Sequence, residues 1–163
     1  MPLMKQEIYT LEDIFALPEG ERAELIKGEL YMMAPPSTRH QRLVHSISYE
    51  IEHYIRSKHG KCEVFPASFG VFLKDEKGND AYVEPDISVV CDPDKLDHKG
   101  CHGAPDWVIE IVSPSSKRMD YLRKTNLYLY AGVREYWIVD PIRETVITYR
   151  QEDDGVPVVH QFG

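Results

Sequence analysis

Two carboxylates in this chain stand where carboxylates are costly. Asp86 opens the run Pro85-Asp86-Ile87-Ser88-Val89-Val90-Cys91, and Glu110 sits inside Trp107-Val108-Ile109-Glu110-Ile111-Val112. Both runs are short, apolar and rich in β-branched residues, the pattern of buried strands. An ionised carboxylate in such a strand is unfavourable unless something positive stands beside it. A divalent cation is one such partner, a hard ion that takes oxygen ligands. Lys124 is the next candidate: Asp120, Lys124 and Tyr128 recur every four residues and so share one stripe of a helix. Each residue also has an ordinary explanation. Asp86 would cap a turn after Pro85. Glu110 would pair with Lys124 or an arginine. Lys124 would be a solvated lysine paired with Asp120.

The elements that must position these groups follow from periodicity and punctuation. Thr10 to Leu17 reads as a short helix with Thr10 as N-cap and Asp13 completing a variant capping box. Ala23 to Met33 reads as a hairpin turning at Lys27-Gly28. Ser37 is the N-cap of a long helix to about Lys58, with Leu43, Val44, Ile47, Ile51, Tyr54 and Ile55 on its apolar face. Strands are expected at 62–65, 69–73 and 83–91, with a polar turn over 75–80 and a charged loop over 92–105. The Glu110 strand then leads through Ser113-Pro114-Ser115-Ser116 into a helix from about Ser115 to Ala131. Tyr136 to Asp140 is a further strand, and 144–150 pairs with 156–162 around Asp153-Asp154-Gly155. The order predicts an α/β (α+β) architecture: a central mixed sheet flanked by helices, with the helix and hairpin of 10–33 as an extension.

Size and composition set the outer limits. A chain of 163 residues suits one domain with a single core, residues 1–163. No apolar run is long enough to span a bilayer, so no membrane partner is expected. The first residues lack the apolar core of a signal peptide, and a cytoplasmic location is expected. Three cysteines without close pairing, Cys62, Cys91 and Cys101, argue against a disulfide framework and fit a reducing compartment. A net charge of −8 counts against a broad nonspecific nucleic-acid surface, though not against a local basic one. Cys91, His98, Cys101 and His102 cluster, but their spacing fits no standard zinc module.

Several blocks together resemble one family. They are Glu24-Leu25-Ile26-Lys27-Gly28-Glu29-Leu30, Ser37-Thr38-Arg39-His40-Gln41, Glu84-Pro85-Asp86-Ile87, Trp107 to Ser115, Asp120 with Lys124 and Tyr128, and Ala131 to Pro141. In this order, over nearly the whole chain, they resemble the Uma-two family of restriction-endonuclease-like proteins within the PD-(D/E)XK nuclease superfamily. One position departs from the superfamily pattern: Val112 stands where a lysine two residues after the glutamate is expected. Either the site lacks its lysine or another supplies the charge, and the family resembles this chain in carrying its lysine on the following helix, at Lys124.

The resemblance implies a restriction-endonuclease-like core and hydrolysis of phosphodiester bonds, with DNA as the substrate. Asp86, Glu110 and the carbonyl of Ile111 would hold Mg²⁺, with Mn²⁺ as a substitute, and Lys124 would orient water and stabilise the phosphate. Glu29 is the candidate for an extra acid from an early element, against an ordinary surface glutamate. His40 lies on the same stripe as Val44, Ile47 and Ile51, so it points inward, as a core or capping histidine would. Gln41 beside it is within reach of substrate. Ser113 and Ser115 are candidate caps for the helix that follows. Two rivals stand beside this reading. One is a catalytically inactive relative that binds nucleic acid or protein. The other is an interaction module forming a homodimer through an exposed strand, the Tyr136 or the Val158 segment.

Overall fold

Pro85 divides the apolar run of 83–91 between two sheets. The run reads as one strand, yet proline cannot donate to a ladder and restricts the residue before it. The computed structural model describes residues 7–114 and 118–163, with the side chains of 118–120 left aside. Within them the chain forms α1 (Leu11–Phe15), the hairpin β1 (Ala23–Ile26) and β2 (Glu29–Met32), and α2 (Thr38–Ser57). Next come β3 (Glu63–Pro66), β4 (Val71–Lys74), β5 (Asp80–Val83) and β6 (Ile87–Val90). Two short strands, β7 (Leu96–Asp97) and β8 (Gly100–His102), precede β9 (Trp107–Ile111) and α3 (Arg118–Ala131). The last strands are β10 (Glu135–Asp140), β11 (Thr145–Arg150) and β12 (Val158–Gln161).

The expected mixed sheet is the one ordered β12-β11-β10-β9-β6-β3, in which β9 and β10 run parallel and the other pairs antiparallel. The parallel pair is what a strand–helix–strand crossover requires, so α3 returns against this sheet. A second six-stranded sheet, ordered β2-β1-β5-β4-β8-β7, gathers the early hairpin, β4, β5 and part of the stretch expected as a charged loop. Its β8 pairs with β4 because Gly100 lets the backbones close; a Cβ there would stand 2.1 Å from the Gly70 carbonyl oxygen.

The first sheet is filled on both faces. Ile87, Val89, Ile109, Ile111 and Val139 pack against Val44 and Ile51 of α2. On the opposite face Val90, Val108, Tyr136 and Ile138 meet Leu127 and Tyr128 of α3, with Val71, Leu73, Ala81 and Val83 of the second sheet. Each fully buried aliphatic side chain contributes about 1.5–3 kcal/mol to holding these layers together. Alternation along β9 then aims Val108 and Glu110 toward α3, and Ile109 and Ile111 toward α2.

Local expectations hold in detail at both helix starts. The Asp13 carboxylate accepts the Thr10 amide at 2.7 Å, and Ser37 Oγ accepts the His40 amide at 3.2 Å. The Lys27-Gly28 turn has φ of 51° and 75°, the left-handed pair of a tight hairpin. Four expectations need correction. The strand of 83–91 is two strands, for the reason given. Tyr54, expected on the apolar face of α2, is 64% exposed: Ile51 and Ile55 take the packed positions of this turn, and Tyr54 lies beside them toward solvent. Tyr136 is fully buried in a central strand and so cannot form a dimer edge, whereas all of β12 is exposed at the outside of its sheet. Cys62 and Cys91 are joined in a disulfide. The two are distant in sequence, but the β3–β6 register pairs Glu63 with Val90 and sets them opposite each other one residue beyond, with Cα atoms 4.0 Å apart. That bond also removes Cys91 from any cysteine–histidine cluster. Ser115, and the side chain of Asp120, lie outside the described residues.

Candidate active site

Asp86 sits at the crossover between the sheets, one residue before β6, and its carboxylate closes onto β9. Oδ2 accepts the Ile111 amide at 2.7 Å and lies 3.1 Å from His40 Nε2. His40 comes from the first turn of α2, which Ser37 caps. The imidazole is almost wholly buried, and its Nδ1 has no hydrogen-bond partner among the described residues. The hydrogen bond to Asp86 raises the His40 pKa; burial opposes it, and the charges of Asp86 and Glu110 and the Ile111 main chain add to it.

Glu110 points from the middle of β9 into the space between α3 and the second sheet. Its Oε1 accepts from Tyr128 Oη at 2.7 Å and from Lys124 Nζ at 3.2 Å. The i,i+4 stripe of α3 thus delivers both donors to one carboxylate oxygen. Burial pushes the Glu110 pKa up to about 7; Lys124 and the Tyr128 hydrogen bond pull it down, while Asp86 and Glu24 add to the rise. Burial alone would lower the Lys124 pKa, but Glu110 and Glu24 together hold it well above the usual lysine range. Tyr128 is raised well above its own range, chiefly by burial and then by the carboxylates beside it.

Glu24 is the member that sequence reasoning missed. It lies on β1, only 5% exposed, and its Oε2 is 2.8 Å from Lys124 Nζ. Oε1 accepts from the same Nζ and from the Glu84 amide, both at 3.0 Å. A signal was available: β1 is buried at all four positions, so Glu24 is a carboxylate in an apolar strand just as Glu110 is. The expected early acid, Glu29, instead lies on β2 outside the cleft, where its carboxylate meets Tyr31 Oη at 2.8 Å and Arg123 at 4.0 Å. The hairpin register sets both glutamates on one face of the ladder, Glu24 opposite Tyr31 and Glu29 opposite Ile26, but Glu29 stands beside the turn, where it is exposed.

These groups line a cleft of about 730 Å³ that includes Glu24, His40, Asp86, Glu110, Ile111 and Lys124. Gln41 and Ser113 are on its wall, as are Arg22 and Glu84, which pair with each other. Tyr128 stands behind Glu110, away from the opening. Apart from the His40 ring and the Lys124 ammonium, which as a cation cannot ligate, these groups present oxygens, the chemistry of a hard divalent ion. Two carboxylates, Glu24 and Glu110, share Lys124, while Asp86 stands against His40; burial is the chief cause of the upward shift of Glu110, and the charges of Asp86 and Glu24 add to it. Among the described residues no three His, Cys, Asp or Glu side chains converge as a ligand set. Two carboxylates, Asp86 and Glu110, line the same cleft beside Ile111, and their oxygens are of the type a hard cation takes.

The fold class is that of a nuclease-like protein. A family model described as "Putative restriction endonuclease", Uma2, matches residues 7–162, and the chain belongs to that family. It is similar to two uncharacterised proteins of Synechocystis sp. (strain ATCC 27184 / PCC 6803 / Kazusa). It is 26% identical to slr1290 over 84% of this chain and 70% of that protein. It is 23% identical to sll1609 over 82% of this chain and 75% of that one. Among solved structures it is similar to a "putative nuclease belonging to DUF820" from Anabaena variabilis ATCC 29413. That likeness has a TM-score of 0.76 at 23% identity, over 93% of this chain and 84% of the other, and it shows the shared fold. No helix among the described residues is long and apolar enough to cross a membrane.

Proposed function

We propose that the protein is a divalent-metal-dependent nuclease that hydrolyses phosphodiester bonds in DNA, with Asp86, Glu110 and Lys124 as its catalytic residues. The observation that carries this reading is the meeting of strand-borne Glu110 with helix-borne Lys124 at 3.2 Å, in the cleft that Asp86 also lines. Family membership supports the nuclease class. Lys124 supplies the cation that Val112 does not, from a different element.

Asp86, Glu110 and the Ile111 carbonyl would hold Mg²⁺ or Mn²⁺. The ion supplies Lewis acidity and activates water for attack on phosphorus. The protein's own residues do the rest. The Ile111 amide and His40 fix the rotamer of Asp86, and Tyr128 fixes Glu110, so both acids are preorganised. Glu24 holds Lys124 Nζ from the side opposite Glu110 and keeps it charged. That fixed ammonium faces the cleft and stabilises negative charge developing on the phosphate oxygens, in a setting drier than bulk water. Gln41 on the cleft wall is placed to hydrogen-bond substrate.

The test is incubation of pure protein with plasmid, linear duplex, single-stranded DNA and RNA, each in Mg²⁺, Mn²⁺ or chelator. The proposal expects cleavage of DNA that chelator abolishes. Binding without cleavage in every metal would instead establish an inactive relative, the rival that Val112 favours. Cleavage undiminished by chelator would remove the metal from the account.

A further inference from the structure

Leu30 to Tyr49 contains no Asp or Glu, in a chain that has 27 of them among 163 residues. The same stretch carries Arg39, Arg42 and His45, all exposed on the first half of α2. Their neighbours elsewhere are neutralised. Arg22, Arg56, Arg123, Arg134, Arg143 and Arg150 each have a carboxylate within 4.0 Å. Among the described residues Arg39 and Arg42 have no such partner and make no side-chain hydrogen bond. Two unpaired guanidiniums three residues apart on one helix, in a protein of net charge −8, form a local positive surface on an otherwise acidic molecule.

At Arg42 this surface adjoins the cleft, and Arg39 lies three residues before it on the same helix. A shallow depression on α2 is lined by Ser37, Thr38, Gln41, Arg42, His45 and Ser46, and it shares Ser37 and Gln41 with the wall of the catalytic cleft. We propose that the exposed first half of α2, through Arg39 and Arg42, binds the phosphodiester backbone of the substrate strand where it leaves the cleft. The inference rests on the nuclease reading for its choice of partner. Its physical basis is charge complementarity: arginine forks match phosphate geometry, and each neutralised phosphate releases counterions. An acidic cleft needs such a surface. Glu24, Glu84, Asp86 and Glu110 repel a polyanion, so affinity for the flanking strand must come from outside the catalytic groups.

The experiment compares wild type, R39Q/R42Q and, as a control, K61Q/K77Q, which removes two exposed lysines that have no ion-pair partner among the described residues and lie outside α2. Fluorescence anisotropy on a 30-bp duplex is measured with Ca²⁺ and again in chelator, across a salt series. R39Q/R42Q is expected to weaken binding about tenfold or more and to reduce the slope of log affinity against log salt by about two. K61Q/K77Q is expected to change neither. Hydrolysis of bis-p-nitrophenyl phosphate, which has no flanking phosphates, is expected to be equal in wild type and R39Q/R42Q. Unchanged affinity and slope in R39Q/R42Q, an equal loss in K61Q/K77Q, or no duplex binding by wild type would overturn the proposal. Failure to hydrolyse either substrate in any metal would sink the nuclease reading instead, while the anisotropy would still report on the α2 surface.

Discussion

Replacing Lys124 by Met keeps most of the aliphatic stem and removes the cation. Its two partners, Glu110 and Glu24, then face each other across the cleft without the ammonium that separates them. If Lys124 stabilises the phosphate, Lys124→Met should lower kcat by about 10²-fold or more with a much smaller effect on metal affinity measured by titration calorimetry. Equal turnover would return it to a structural ion pair. The residue scale is also where sequence reading was most uneven. Spacing alone leaves Asp86, Glu110 and Lys124 each an ordinary explanation, and it is the family resemblance that groups them; the contact of Lys124 with Glu110 rules out the solvated-lysine reading. Glu29 is the more conspicuous acid because it follows the Gly turn directly, yet both glutamates share one face of the hairpin and differ in their place along it: Glu24 is buried against Lys124, and Glu29 is exposed at the turn. His40 was legible as an inward-pointing residue, but its contact with Asp86 depends on two elements meeting, which helix periodicity does not encode.

Among the elements, β3 and β6 form an antiparallel pair at the edge of the larger sheet, closed at one end by Cys62–Cys91. The bridge spans 29 residues of sequence, and in the loop-entropy account a loop of that size contributes about 3–4 kcal/mol. The variant C62S/C91S should therefore be less stable to urea by about 2–4 kcal/mol. Thiol titration of unfolded, unreduced protein should find one reactive cysteine, Cys101, which is buried in the native state with its pKa pushed up to about 11 by burial. Three titratable thiols, or equal stability of the variant, would contradict the pairing. A reducing cytoplasm would hold the pair as thiols, so the count in freshly isolated protein also reports on the compartment. Sequence spacing missed this bond because a cross-strand partner is set by register rather than by distance along the chain. Pro85 shows the converse. The break it causes is legible in principle from its missing donor, but the apolar run on both sides masks it.

At the scale of the whole molecule, the buried carboxylates give stability a particular pH dependence. Glu110 has an ordinary value of 4.5 and is pushed up to about 7 in the native fold. Across that window the native chain keeps a proton that the unfolded chain has lost. From this group, stability therefore falls as pH rises from about 4.5 to about 7 and is level above it. Metal-free Glu110→Gln, neutral at every pH, should lack this contribution, so its stability relative to wild type should improve with pH over the window in urea melts. A difference that does not change with pH would show that Glu110 ionises normally. The mixed sheet and the three helices were legible from β-branched runs, from helical spacing and from the Thr10 and Ser37 caps. The existence of a second sheet was not, since its three local hairpins, β1–β2, β4–β5 and β7–β8, are joined only by the long-range pairings β1–β5 and β4–β8.

The central claim is that Asp86 and Glu110 act together to make this cleft catalytic, and plasmid nicking in Mn²⁺ and Mg²⁺ by wild type, Asp86→Asn and Glu110→Gln tests it most directly. With thermal melts showing all three folded, the account predicts metal-dependent cleavage by wild type and loss of at least about 10³-fold in each variant. Cleavage at the wild-type rate by both folded variants would contradict it.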